Sequence, residues 1–137
     1  MKKMWIFAVG IGFTVPALAQ DVKIASFDPT HLHLSGSYCS FERKPREIVL
    51  ASDWAGKFWM KVDGKMLELV SYQSDDLVGR QLAGKRWDVV LSSPGLTIEL
   101  RLLELGRGED SAAYKGYIEL KQHGSRTRIS ITGGCGT

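Results

Sequence analysis

His31 and His33 are the first side chains that could do chemistry together, because on a strand a one-residue spacing sets both imidazoles on one face. Such a pair can begin a zinc or copper site. A site needs at least a third ligand, however, and no carboxylate or cysteine stands at an obvious spacing to supply one. Leu32 and Leu34 alternate with the histidines, so an outward polar face accounts for them without an ion, and neither a metal nor a cofactor is expected. Nucleophilic catalysis lacks its context too: there is no G-x-S-x-G elbow and no local signature of a thiol nucleophile. The acid pairs Asp75-Asp76 and Glu109-Asp110 fall in glycine-containing loops, where water keeps carboxylates ionised and tunes neither for proton transfer. The glycine-rich runs 106–108 and 133–136 open no helix, so they read as a turn and a C-terminal tail rather than phosphate cradles. The expectation is a protein that is not an enzyme.

The two cysteines, Cys39 and Cys135, need a compartment before they mean anything. Residues 1–20 supply it: Lys2 and Lys3, an uncharged apolar stretch from Met4 to Val15, then Pro16 and the small-x-small run Ala17-Leu18-Ala19. That is the layout of a Sec-type bacterial signal peptide, with residues 1–19 removed and 20–137 left as a single domain. The run is shorter than the ~20 apolar residues of a membrane span, so no stable anchor is expected after cleavage. Export to the periplasm or beyond makes an intramolecular Cys39–Cys135 disulfide the expected state, with no C-x-x-C to suggest redox work.

Removing the leader also removes most of the basicity. The chain of 137 residues carries 18 basic and 15 acidic side chains; without the leader's 19 residues and two lysines it keeps 118 residues and a net charge of +1. A near-neutral domain has no long-range field to steer it to nucleic acid or anionic lipid.

The elements that must position any site show period-two alternation and no helical stripe. Strands are expected over residues 22–27, 31–41, 47–52, 57–62, 65–72, 85–92, 96–105, 112–122 and 126–132. The intervening turn signals are Asp28-Pro29-Thr30, the polar run 42–46, Asp53 to Gly56, Asp63-Gly64, the loop 74–84, Ser93-Pro94-Gly95, the loop 106–110 and His123-Gly124-Ser125. Asp63-Gly64 is the dipeptide of a two-residue type I′ turn, whose central residues both need positive φ. It pairs Val62 with Lys65, Met60 with Leu67 and Phe58 with Leu69, which puts the apolar set on one face and Lys57, Trp59, Lys61 and Glu68 on the other. About eight or nine short strands joined by hairpins point to an all-β fold, a small antiparallel β-barrel or β-sandwich with one disulfide.

Trp59 is then the one outward residue that solubility does not explain. With Lys57 and Lys61 beside it, it has the composition of a protein-contact hot spot. The basic groups Arg43-Lys44-Pro45-Arg46, Lys85-Arg86, and Arg126 with Arg128 would make a patch for an acidic surface or an anionic glycan if two of them converged.

Tyr38-Cys39, the run Phe58-Trp59-Met60-Lys61-Val62-Asp63-Gly64 followed by Leu67 and Leu69, and the late Cys135 give the chain a layout that resembles the periplasmic and membrane-bound inhibitors of C-type lysozyme. The resemblance implies a small β-domain and, as one function, lysozyme inhibition. That family's inhibitory Ser-Gly-Tyr segment follows the hairpin, whereas Ser35-Gly36-Ser37-Tyr38 precedes the first cysteine, so no inhibitory residue carries over. The expected function is binding, with a protein partner contacted by Trp59, Lys57 and Lys61. The alternatives are a lysozyme-inhibitor-like protein and a carrier whose apolar ligand would lie among Phe58, Met60 and Trp87.

Overall fold

The computed structural model describes residues 10–12, 22–53, 56–71 and 86–136. The expected leader, the loop 74–84 and Asp75-Asp76 lie wholly or almost wholly outside them. No helix among the described residues is long and apolar enough to cross a membrane.

Among the described residues nine strands form one antiparallel sheet: β1 (Ile24–Ala25), β2 (Tyr38–Lys44), β3 (Glu47–Ser52), β4 (Lys57–Val62), β5 (Lys65–Val70), β6 (Arg86–Ser93), β7 (Leu96–Arg107), β8 (Ser111–Gln122) and β9 (Ser125–Gly136). Within each of the runs β2–β5 and β6–β9, every strand pairs with the next in sequence; β9 returns to pair with β2, and β1 is added to β4 beside β3. The sheet curls into a half-barrel whose free ends, β5 and β6, meet at one isolated bridge between Ser71 and Leu91.

Alternation decides which face is concave. Phe41, Leu50, Phe58, Met60, Leu69, Leu91, Ile98, Leu100, Ile118 and Leu120 are buried on it, while the intervening residues of β6 to β9 are mostly exposed. Each large apolar side chain so buried contributes ~1.5–3 kcal/mol of transfer free energy. The Phe41 and Tyr114 rings pack at 6.3 Å between centroids, tilted by 51°.

The β4–β5 hairpin has the register its turn dictates: Phe58 faces Leu69, Trp59 faces Glu68 and Met60 faces Leu67. Asp63 and Gly64 take φ of 49° and 81°, and the Asp63 Oδ1 accepts from the Lys23 backbone N–H at 2.9 Å, tying the first strand to the turn. His123 and Gly124 form a second positive-φ turn between β8 and β9.

Three sequence expectations are corrected. Residues 31–37 are not strand: Pro29–Leu32 is a 3-10 turn capped by Asp28, whose Oδ1 accepts from the Thr30 N–H and hydroxyl at 2.9 and 2.7 Å. An acidic cap followed by proline is a helix-start signal, and here it overrides the alternation. Residues 133–136 are no tail but the end of β9, held between β2 and β8. Likewise β7 continues through Gly106 and Arg107 past a bulge at Leu105, so the expected loop is shorter.

Candidate functional site

The curled sheet leaves its chemistry on the convex face, at two places far apart in the strand order. The first is the outer side of the β4–β5 hairpin. Lys57, Trp59 and Lys61 share it, as the turn register requires, with Val70, Glu68 and Met66 opposite them. Met66 and Val70 are 43% and 47% exposed, and each lies diagonal to Trp59 across the ladder, within reach of a large ring. Trp59 itself is half-buried, with Ala51 as its neighbour on β3. Lys57 reaches Glu68 at 3.4 Å, an exposed pair worth little energetically but enough to define a charged rim. Three apolar side chains ringed by lysines and a glutamate can desolvate against a partner while the rim stays wet.

The second place crosses β6 to β9. One row of outward side chains runs Arg86, Leu103, Lys115, Thr132; the next runs Asp88, Arg101, Tyr117, Ser130. Between them lies a groove of about 370 Å³ floored by Leu102, Gly116 and Ile131. Beyond it, Glu119 is 3% exposed although it faces outward, because two arginines cover it. Arg128 Nη2 and Nε donate to its Oε2 at 2.7 and 3.1 Å, and Arg126 Nε stands 3.2 Å from its Oε1. The Arg128 hydrogen bonds hold the Glu119 carboxyl below the usual carboxylate range, and the nearby positive charge of Arg126 adds to that. Arg128 also stacks 4.1 Å from the centre of the Tyr117 ring.

Two of the basic groups in the sequence therefore converge on one face: Arg86 stands on it with Arg126 and Arg128, and the structure adds Arg101 and Lys115. Arg43 does not join them. Its Nε donates to Glu47 at 2.7 Å and its Nη1 to the Ile24 carbonyl at 2.9 Å, so it fastens β1 to the β2–β3 hairpin. The carboxyl of Glu47 is held low by that hydrogen bond.

Cys39 and Cys135 occupy directly opposed positions of β2 and β9 and are joined by the expected disulfide. His31 and His33 do not share a strand face, since the first lies in the 3-10 turn and the second, at φ 52°, ends it. Among the described residues no three histidines, cysteines or carboxylates come together as a metal site. Glu109 and Asp110 are exposed. Phe58, Met60 and Trp87 all lie buried on the concave side, whereas the groove across β6–β9 and the hollow lined by Phe27, Asp28, Glu42 and Ile48 open elsewhere.

Sequence reasoning missed two buried carboxylates. Glu104 is 1% exposed and its Oε1 accepts from Arg107 Nε at 2.9 Å. The signal was present: Glu104 continues the inward parity of Leu96, Ile98, Leu100 and Leu102. Glu119 had no such signal, because only pairing with β9 brings Arg126 and Arg128 over it.

In comparison with known proteins, no family model matches the chain, and neither a curated protein nor a solved structure does.

Proposed function

We propose that this chain is an exported, non-enzymatic binding protein that holds a protein partner on the outer face of its β4–β5 hairpin. The observation that carries the reading is the grouping of Trp59, Met66 and Val70 on one side of a fully registered hairpin, rimmed by Lys57, Lys61 and Glu68. A rigid two-stranded ribbon presents such a patch with little ordering cost, and a central tryptophan is the residue type on which binding energy concentrates. The disulfide fits an oxidising compartment outside the cytoplasm.

The test is a photo-crosslinker placed at Met66 in cells that export the protein. A discrete crosslinked partner is expected, lost on Trp59→Ala and weakened by Lys57→Glu with Lys61→Glu, while the circular dichroism of each variant stays unchanged. Crosslinks that persist in both variants, or none from Met66, would overturn the assignment of this face.

A second reading, a lysozyme-inhibitor-like protein, is favoured by the layout: an Asp-Gly hairpin and a disulfide joining the first full strand to the last. Cell-wall clearing by purified lysozymes, measured with and without the protein, separates the two readings. Slowed clearing supports inhibition, and unchanged clearing across lysozyme classes removes it.

A further inference from the structure

The groove across β6–β9 is built from strands that the hairpin patch does not use, and among the described residues its charge does not balance locally. Arg101 is engaged, 3.5 Å from Asp88 and 3.9 Å from Glu99. Arg86 and Lys115 are exposed and have no carboxylate within ion-pair distance among the described residues. With Arg101 matched by Asp88 and Glu99, Arg86 and Lys115 leave the groove an excess of positive charge among the described residues.

The spacing of Arg86 and Lys115 restricts what could neutralise them. Arg86 and Lys115 stand in one row two strands apart, so their backbones are about 10 Å from each other. One small anion cannot hydrogen-bond to both at that separation unless both long side chains converge on it. An extended ligand with anionic groups at intervals meets both without convergence. The groove is open along four strands, about 14 Å, and its rows of side chains are about 7 Å apart. Over the apolar floor the lining offers a few polar groups, hydroxyls from Ser130 and Thr132 and an acceptor from Asp88, with the Tyr117 ring beside them. A carboxylate acceptor repels an acidic peptide but accepts from a sugar hydroxyl.

We propose that this groove binds an oligosaccharide chain bearing carboxylates, with Arg86 and Lys115 taking carboxylates on successive disaccharides and Asp88, Ser130 and Thr132 meeting ring hydroxyls. The inference stands apart from the hairpin reading, because either face can fail its test without touching the other.

The experiment is calorimetric titration of the secreted, oxidised protein with a hyaluronan hexasaccharide, which carries one carboxylate per disaccharide. Binding is expected at low salt and weakens as ionic strength rises to about 0.5 M. Arg86→Gln with Lys115→Gln lowers the affinity about tenfold or more, since two charge-assisted contacts are lost. Both side chains are exposed, so that variant keeps its circular dichroism and melting point, and Trp59→Ala keeps its sugar affinity. The neutral hexamer of N-acetylglucosamine binds at least about tenfold more weakly if charge selects the ligand. The proposal is overturned by an absence of binding, by equal affinity for the neutral hexamer, or by an unchanged affinity of the double variant. Tighter binding of an octa-aspartate peptide than of the hexasaccharide would overturn it in favour of an acidic protein surface.

Discussion

Glu119 shows how a single outward carboxylate becomes part of the fold. It sits on β8 under Arg126 and Arg128 of β9, and the Arg128 hydrogen bonds keep it ionised below its ordinary range. Folding lowers its pKa, so the stability it contributes is complete above the unfolded value near 4.5 and is lost as pH falls through the lower folded value. Glu119→Gln is therefore expected to be less stable than the native protein at neutral pH, with the gap in urea midpoint closing as the solution is acidified. Gly133 makes a different residue-scale demand. A Cβ there would overlap the Ser40 carbonyl oxygen and the Phe41 Cα, both fixed by strand pairing, whereas a Cβ on Gly136 would meet only ordinary contacts. Gly133→Ala should cost ~1–3 kcal/mol in urea unfolding, as overpacking does, and Gly136→Ala should stay within ~0.5 kcal/mol.

At the scale of elements, the turns carry the register. Asp63 joins β4 to β5 and also exchanges hydrogen bonds with Lys23 through both its side chain and its backbone. Asp63→Ala should lower stability by ~1 kcal/mol or somewhat more, while Asp63→Asn, which tolerates the left-handed conformation and still accepts, should lose much less; chemical denaturation measures both. This hairpin was legible in the sequence because turn chemistry and alternation chose the same pairing. The same held for the inward faces of β6, β7 and β8, where Trp87, Leu100 and Ile118 follow period two without interruption. Residues 31–37 were not legible, since the capping chemistry of Asp28 competed with the alternation there and won. The glycines of β9 misled for a related reason: glycine usually marks a turn, but here Gly133 and Gly134 let neighbouring backbones approach closely. The placement of the candidate surfaces was half legible. Trp59 and its lysines followed from one local turn, whereas the groove needs four strands in register, and no local pattern encodes that Arg86 and Lys115 share a row.

For the whole molecule, closure of the sheet is uneven. On one side β2 and β9 pair over five residues and are joined covalently; on the other, among the described residues, the β5 end meets β6 only at the Ser71–Leu91 bridge. The disulfide spans a sequence separation of 96 residues, and closing a loop of about that length is worth ~4–5 kcal/mol in the chain-entropy account. Cys39→Ala with Cys135→Ala should lose stability on that scale, read as a lower urea midpoint that reducing agent no longer changes. With the disulfide intact, amide exchange should be fastest along the edges of β5 and β6 and slowest in β8, which is paired on both sides along its length.

The Cys39–Cys135 bond also turns most of the domain into a closed ring of chain. Tension applied to the two ends runs through the sulfur bridge and bypasses everything between, so the enclosed strands bear no load and the molecule cannot be drawn out while the bridge holds. By the same logic, a protease that cuts once inside the ring releases nothing: the two pieces stay joined and side by side. Wherever thiols stay oxidised, this β-domain resists both pulling and cutting through one bond between its first full strand and its last.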